Sequence, residues 1–530
     1  MHNQVIAYDS TLRDGAQAQG VSFTVEDKLK IVQRLDDLGI GYIEAGNPGS
    51  NPKDLEFFER VSHLQLKHAK IIAFGSTRKV GAKAADDRHL QSLLSANTQA
   101  VAIFGKSWDY QVTDILRTTL EENLHMIADT VTYLKAQNKE VVFDAEHFYD
   151  GYKNNPEYAL QTLQAAADAG ADVLCLCDTN GGTFPDEVAV ITKKVVMQFA
   201  SGQHAKVQIG IHCHNDCEMA VANSVAAVQA GATQVQGTIN GIGERCGNAN
   251  LCSIIPNLQL KLGIACIPQQ NIAELTTAAR FVSEVANMTF NEKAPYVGND
   301  AFAHKGGMHI DAVSKNPISY EHINPQQVGN VRHILVSEVA GRAALLAKIN
   351  LIDSTLNKDS AETVRVLAHL KTLEHEGYQF ESAESSFDLL VHRLLGKYQP
   401  FFKLIEYRIG VHESSTQGTN STATVKMAVG DQEETATAAG DGPVNALDKA
   451  VRQALERFYP AIKDVKLVDY KVRVLDSDQA TAAKVRVLIE SADQHETWTT
   501  VGVSTDIIDA SWRAMLDAIE YKLMRDSRLN

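Results

Sequence analysis

Apolar residues in the first half of the chain fall into short runs that are separated by stretches with helical spacing. Residues such as Ile31, Leu35 and Leu38 recur every three or four positions, which is typical of amphipathic helices. Several of these stretches end at a glycine, the residue that best forms a left-handed cap before a new strand. The runs are rich in β-branched and aliphatic residues and predict eight buried strands: Val5–Tyr8, Gly41–Glu44, Ile71–Phe74, Ala100–Phe104, Val141–Ala145, Val173–Cys177, Val207–His212 and Thr233–Ile239.

Eight strand–helix units of about 30 residues each predict an α/β fold, a (β/α)8 TIM barrel with its active site at the C-terminal strand ends. A doubly wound open sheet is the structural alternative. No run is followed by a G-x-G-x-x-G turn, which disfavours the nucleotide-binding form of that alternative. We therefore expect a barrel-shaped catalytic domain over residues 1–270.

The pattern changes twice in the second half. Residues 271–380 lose the strand–helix alternation, with a helix predicted over Asn271–Met288 and a mostly helical stretch to about Gly377. From residue 381 onward, strands of alternating polarity form two sets of three, each followed by a helix: Phe402–Val411, Thr422–Val429 and Glu433–Ala439, then Leu467–Val474, Ala483–Ile489 and Thr497–Val503. We expect a linker subdomain over 271–380 and an α+β domain of two βββα units over 381–530.

Composition restricts the class of partner. The net charge of −15, with no block rich in Lys or Arg, argues against nucleic acid or an anionic membrane surface. No apolar run approaches the ~20 residues that a membrane-spanning helix needs. The chain enters a strand within its first residues, and its seven cysteines form no even framework. We expect a reduced, cytoplasmic protein without a signal peptide.

Polar residues concentrate where the predicted strands end. His212 and His214 are two positions apart on the seventh strand, so their imidazoles face the same side. Closure of a barrel brings Asp14, after the first strand, and Asn248, after the eighth, close to them. Two imidazoles and two oxygens favour a divalent cation such as Mn²⁺, Mg²⁺ or Zn²⁺ that keeps positions open for substrate. A hydrogen-bonded histidine pair in a polar barrel mouth is the alternative.

Four motifs carry a resemblance to a known family: Thr11-Leu12-Arg13-Asp14-Gly15, His212-x-His214-Asn215-Asp216, Gly241-Ile242-Gly243-Glu244-Arg245-Cys246-Gly247-Asn248 and Phe302-Ala303-His304-Lys305-Gly306-Gly307-Met308-His309. With them the chain resembles the 2-isopropylmalate synthase and citramalate synthase group of the DRE-TIM metallolyase superfamily. The stretches 14–20 and 46–54 are most similar to the citramalate branch. Asn47 departs from the family by replacing an aromatic residue, and His304-Lys305-Gly306-Gly307 replaces a His-x-Ser-Gly run.

The resemblance implies an acyltransferase that condenses acetyl-CoA with pyruvate and water to give (R)-citramalate and CoA, the first step of a pyruvate route to isoleucine. It implies that Arg13 stabilises the negative charge that develops on the carbonyl oxygen. Thr179 would bind the substrate carboxylate. Glu146 would orient acetyl-CoA or help to move its methyl proton, although a salt bridge across the barrel mouth is an alternative role for this residue.

The resemblance also implies that the linker reaches over a barrel, commonly that of the partner chain, and completes the site. The acid–base residues would be His309 and Tyr320, with His304 as a substrate-binding residue and as the alternative to His309. An ordinary linker histidine and a surface tyrosine remain the simpler interpretation of that pair.

The stretch 440–448 resembles the regulatory domain of isopropylmalate-type synthases, where a branched-chain amino acid binds at a dimer interface. This resemblance implies a homodimer that isoleucine inhibits, and a dimerisation domain without a ligand is the alternative. Three other functions stay open. They are a 2-isopropylmalate synthase acting on 2-ketoisovalerate, a metal-dependent lyase of the same superfamily, and a non-catalytic amino-acid sensor.

Overall fold

The computed structural model describes residues 4–49, 52–199, 204, 206–335, 346, 349–350, 352–353, 355–357, 359–414, 418–475, 482–493 and 496–529. The chain divides into two compact units. The first contains Met1–Phe302 and Ile323–Arg332, and the second contains Ala303–His322 and His333–Asn530. Ser50 and Asn51 of the citramalate-like stretch lie outside the described residues, as does part of the helical stretch predicted before Gly377. In the described part of the chain, no helix combines the length and the apolar character that crossing a membrane requires.

The first unit contains the predicted barrel. Its eight strands are β1 (Ile6–Asp9), β2 (Tyr42–Glu44), β3 (Lys70–Ser76), β4 (Ala100–Lys106), β5 (Glu140–Glu146), β6 (Val173–Asp178), β7 (Gln208–Cys213) and β8 (Gln234–Gly237). Each strand pairs in parallel with the next, and β8 pairs with β1 through the register Tyr8 to Gln236. The predicted TIM barrel is confirmed, and the open sheet is excluded because the strand order closes on itself.

Helices of the first unit follow the strands, and several of them begin at a capping side chain. They are α1 (Val25–Leu38), α2 (Pro52–Val61), α3 (Arg88–Ser95), α4 (Leu120–Ala136), α5 (Phe148–Asn154), α6 (Pro156–Asp168), α7 (Pro185–Phe199), α8 (Ala220–Gln229), α9 (Leu251–Pro256) and α10 (Leu275–Val285). Thr24 and Asp27 form a capping box at the start of α1, and Gly39 ends it in the left-handed conformation at φ 96°. The helix predicted over Asn271–Met288 corresponds to a 3₁₀ turn and α10.

Side chains along the barrel strands alternate between the surrounding helices and the barrel interior. The interior set forms an apolar cluster of its own, made of Tyr8, Tyr42, Ile72, Ala100, Ala102, Val142, Val173, Cys175 and Cys177. Further along the strands, the same alternation carries Asp144 and Glu146 on β5 and His212 on β7 to the C-terminal mouth. The barrel therefore presents Asp144, Glu146 and His212 at one end, next to an apolar interior cluster.

The second unit contains the predicted pair of βββα modules. A short parallel pair, β9 (Ala303–His304) and β10 (His333–Ile334), accompanies helices α11 (Gly307–Lys315), α12 (Ala361–Glu376) and α13 (Glu384–Leu394). The first module contains β11 (Lys403–Ser414), β12 (Gly418–Val429), β13 (Gln432–Gly440) and α14 (Pro443–Leu455). The second contains β14 (Lys466–Val474), β15 (Val485–Ala492), β16 (Thr497–Ser504) and α15 (Ile507–Leu529). Both antiparallel sheets confirm the predicted modules, while the domain boundaries at residues 270 and 380 stay predictions.

Candidate active site

The turn after β1 holds the first two site residues rigidly. Backbone N–H groups of Arg13, Asp14 and Gly15 all donate to the carbonyl of Ser10, at 2.9 to 3.1 Å. Thr11 donates its N–H and its hydroxyl to the buried Asp9 carboxylate, at 2.9 and 2.8 Å. This compact turn directs Arg13 and Asp14 toward the barrel mouth.

The predicted metal ligands converge. Asp14 Oδ2 lies 3.3 Å from His212 Nε2 and 3.9 Å from His214 Nε2. All three side chains are buried, and their possible ligand atoms lie within 4.8 Å of one another. One carboxylate and two imidazoles at these separations form a candidate metal site.

Asn248 lies next to this group and fits it as a further oxygen donor. Its backbone pairs with that of His214, and its Nδ2 donates to the carbonyl of Ile242 at 3.4 Å. Asn248 Oδ1 is buried and has no hydrogen-bond partner within the described residues. A Cβ atom on Gly243 would lie only 2.1 Å from Asn248 Nδ2. Glycine at this position of the motif therefore leaves the space that the Asn248 amide occupies.

The pKa values of Asp14 and His214 are shifted in the directions that favour binding of a cation. Burial acts to raise the pKa of Asp14, but the guanidinium of Arg13 and the two histidines outweigh it and hold that pKa well below its usual range. Burial, and then the neighbouring His212, lowers the pKa of His214 to about 4. For His212, burial is outweighed by the Asp14 carboxylate, which raises the pKa. Asp14 is thus ionised and His214 neutral at pH 7, the forms that bind metal.

Arg13 is held from two sides. Its Nε donates to the fully buried Glu44 carboxylate, which also accepts the Tyr8 hydroxyl at 2.5 Å. The guanidinium carbon lies 3.9 Å from the centroid of the Phe74 ring, and Nη1 lies 3.4 Å from Asp14 Oδ2. Its charge therefore has a defined position beside the candidate metal ligands.

A cavity of about 260 Å³ opens at this mouth, and Arg13, Asp14, Glu146, Thr179, His212 and His214 all line it. Glu146 forms an ion pair with Lys106, and the Thr179 hydroxyl accepts the N–H of His147 at 2.9 Å. The structure thus contains the salt bridge that was the alternative for Glu146, with the carboxyl group still at the cavity wall. The catalytic and binding roles of these residues stay predictions.

Sequence reasoning missed several cavity residues, namely Gln17, Phe74, Phe104 and Cys177. The site was predicted from polar residues at the strand ends, whereas Phe74 and Phe104 are apolar. Their two rings stack with centroids 5.5 Å apart. Both positions follow the interior-facing alternation of β3 and β4, and that alternation was the signal that could have identified them.

Three loops at the mouth are tied together by Arg245. Its guanidinium makes two hydrogen bonds to the Asp216 carboxylate, at 2.8 and 2.9 Å, and one to the carbonyl of Thr179 at 2.8 Å. The Arg245 guanidinium thereby links the loops after β6, β7 and β8, and it holds the Thr179 backbone close to the loop that follows β7.

The remaining predicted residues belong to the second unit. The rings of His309 and Tyr320 stack with centroids 4.1 Å apart and an interplanar angle of 25°, and both side chains are exposed. The Nε2 atom of the buried His304 lies at a distance of 3.1 Å from the Glu321 carboxylate. The structure places His309 and Tyr320 next to each other, and the part that they and His304 play in the site stays a prediction.

Comparisons with known proteins agree with these features. Residues 4–282 match the HMGL-like family, residues 296–377 the homocitrate synthase post-HMGL domain-like family, and residues 381–523 the LeuA allosteric (dimerisation) domain. The chain is 54% identical to an (R)-citramalate synthase of Aquifex aeolicus, covering 99% of both chains. It is 51% identical to the (R)-citramalate synthase of Geobacter sulfurreducens, covering 98% of both. Identity to a 2-isopropylmalate synthase of Vibrio parahaemolyticus is 33%, covering 98% of this chain and 96% of that one.

Proposed function

The chain belongs to the (R)-citramalate synthase family, and on this basis we propose that it condenses acetyl-CoA with pyruvate and water to give (R)-citramalate and CoA. The observation that carries the proposal is the convergence of Asp14, His212 and His214 beside Arg13 in one cavity. A neutral imidazole, an ionised carboxylate and a partly buried guanidinium suit the binding of a small 2-keto acid and the stabilisation of its developing oxyanion.

A divalent cation held by Asp14, His212, His214 and Asn248 would act as a Lewis acid and as a template for the keto-acid oxygens. Mn²⁺, Mg²⁺ and Zn²⁺ all accept this set of nitrogen and oxygen donors. The chain supplies the remaining chemistry through its own side chains.

Carbon–carbon bond formation requires loss of a proton from the methyl group of acetyl-CoA and attack of that carbon on the keto carbon of pyruvate, whose C=O π bond breaks so that the oxygen gains the negative charge and then takes up a proton. Arg13 faces the carbonyl oxygen that gains charge, and its contacts with Glu44 and Phe74 hold it there before the reaction begins. Thr179 donates its hydroxyl to the substrate carboxylate. Glu146 orients acetyl-CoA or accepts the methyl proton, and Lys106 keeps its carboxylate at the cavity wall.

Water then attacks the thioester carbonyl carbon, the C–S bond breaks, and CoA leaves as a thiol after it takes up a proton. His309 and Tyr320, whose rings are stacked, are the acid–base residues that we propose for this step. In a homodimer, each chain would supply its His309 and Tyr320 to the active site of its partner.

Pyruvate is the acceptor that we propose. Phe74 and Phe104 stack at the cavity wall, and bulky rings beside the acceptor favour the methyl group of pyruvate over the isopropyl group of 2-ketoisovalerate. The higher identity to (R)-citramalate synthases, 54% against 33% for the 2-isopropylmalate synthase, agrees with this choice.

The second unit supports feedback control and dimer formation. Its match to the LeuA allosteric (dimerisation) domain favours a branched-chain amino acid, isoleucine first, as the effector. Val468, Val472 and Val474 are exposed on β14, an edge strand, and such an uncovered apolar row suits a contact with a second copy of the chain. All seven cysteines lie in the described part and are free thiols, which agrees with function in the reducing cytoplasm.

The proposal is tested by steady-state release of CoA from acetyl-CoA with either keto acid, in the presence of Mn²⁺ and with or without isoleucine or leucine. We expect pyruvate to be preferred and isoleucine to inhibit. A preference for 2-ketoisovalerate with inhibition by leucine would instead identify a 2-isopropylmalate synthase. Absence of CoA release with any keto acid would favour a lyase or a non-catalytic sensor.

A further inference from the structure

A network of buried amide groups lies inside the barrel next to His212. The His212 Nδ1 atom is 3.0 Å from Gln236 Oε1. Gln236 Nε2 donates to Asp144 Oδ1 at 3.2 Å and to Gln234 Oε1 at 3.3 Å. Both glutamines are fully buried, and His212 and Asp144 are nearly so. One side chain of β8 therefore joins a carboxylate on β5 to a metal-site histidine on β7.

The partners of Gln236 determine which way its amide points. A carboxyl oxygen that carries no proton accepts hydrogen bonds, and Asp144 Oδ1 accepts one from the Gln236 amide NH₂ at 3.2 Å. The same NH₂ has a second acceptor in Gln234 Oε1. The atom that faces His212 is therefore the amide oxygen.

That oxygen in turn determines the tautomer of His212. An amide oxygen accepts and does not donate, so the proton of the neutral imidazole must be on Nδ1. The lone pair of the ring is then on Nε2. This is the nitrogen that lies 3.3 Å from Asp14 Oδ2, at the place where the candidate ligands converge.

We infer that Gln236 is a positioning residue of the metal site, which sets the tautomer and the ring orientation of His212 for binding a divalent cation through Nε2. The inference rests on the metal site of the proposed function and adds to that site a residue that orients one of its ligands. His214 differs, because its Nδ1 is buried without a hydrogen-bond partner in the described part of the chain. The network therefore acts on one of the two imidazoles.

The test is Mn²⁺ binding, measured by titration calorimetry on the metal-free full chain. Gln236→Met keeps the length of the side chain and removes the oxygen that His212 needs. Loss of an outer hydrogen-bond partner of a metal-binding histidine lowers metal affinity by about 10–100-fold, and we expect a loss in that range. The weaker ligand field should also change the visible absorption of the Co²⁺-substituted protein.

Gln234→Met is the matched control. Gln234 is an equally buried amide, two positions away on the same strand, and it contacts Gln236 rather than His212. We expect its Mn²⁺ affinity to stay within about threefold of the native value. Equal affinities of the two variants would overturn the inference.

A second variant at the same position keeps the inference testable if Gln236→Met does not fold. Gln236→Glu retains an oxygen for His212, and a proton shared with Asp144 accommodates the other oxygen. If Gln236→Met does not fold, the decision rests on this variant: affinity within about fivefold of native supports the inference, and a loss of about tenfold or more overturns it. Failure of the native protein to bind Mn²⁺ would contradict the metal site of the proposed function, an outcome that is distinct from failure of the Gln236 inference alone.

Discussion

Replacing Arg13 by lysine preserves a positive charge and removes the planar guanidinium. In the structure that group meets three partners: Glu44 through Nε, Asp14 through Nη1 at 3.4 Å, and the Phe74 ring at 3.9 Å from its centroid. A lysine ammonium is a compact point charge and cannot occupy all three positions. We expect it to pair with Glu44 and to withdraw from the place where the substrate carbonyl would lie.

The magnitude follows from the loss of one preorganised donor to a developing oxyanion. Such a loss costs about 2.7–4 kcal/mol, which is a decrease of about 10²–10³-fold in kcat. The free energy of unfolding should change little, because the buried Glu44 keeps a cationic partner and the Tyr8 hydroxyl at 2.5 Å. Mn²⁺ affinity should also be retained, since Asp14, His212 and His214 are unchanged.

The assay is CoA release from acetyl-CoA and pyruvate at saturating Mn²⁺, with Mn²⁺ affinity and thermal stability measured on the same preparation. Arg60→Lys is the matched control, because Arg60 is 40% exposed and pairs only with the surface carboxylates of Glu26 and Glu56 among the described residues. Its kcat should stay within about twofold of native. A folded, Mn²⁺-binding Arg13→Lys enzyme whose kcat falls by less than about tenfold would refute the role of the guanidinium.

Three further outcomes are expected. Mn²⁺ affinity should fall about tenfold per pH unit once the pH decreases below the raised pKa of His212, because one proton then competes with the metal. The pKa of His214 is about 4, so a second proton should compete only near pH 4. A slope of two protons between pH 5 and 6 in the calorimetric titration would contradict this reasoning. Phe104→Ala should raise the kcat/KM ratio of 2-ketoisovalerate to pyruvate by about tenfold, since it removes half of the aromatic wall, and an unchanged ratio in a competition assay would remove Phe104 from acceptor selection. If the exposed Val468 and Val472 lie in the proposed dimer contact, Val468→Glu combined with Val472→Glu should give a monomer in sedimentation experiments, because each carboxylate would be buried in that contact. A dimer that persists in this variant would contradict the proposed contact.

Much of the fold was predictable because its signals are local. Short apolar runs identified all eight barrel strands, and alternating polarity identified the strands of both βββα modules, with boundaries within a few residues. Helix α1 (Val25–Leu38) lies between the capping residues Thr24 and Gly39. Alternation of side chains along an extended chain also predicted that His212, on β7, and His214, just after it, face the same side, since this alternation depends on the backbone alone.

The site depended on contacts that no local pattern contains. Asp14 reaches His212 because barrel closure pairs β8 with β1, a contact between residues at opposite ends of the barrel sequence. Likewise, the register between strands pairs Arg13 with Glu44 and aligns Gln236 with His212 and Asp144. Sequence alone therefore determined which residues could carry chemistry and which way each strand turned them. Only the tertiary structure decided the distances at which they meet and the groups that support them, such as Glu44 and Gln236, because distances between strands depend on closure and register, and these are set by the packing of the whole barrel.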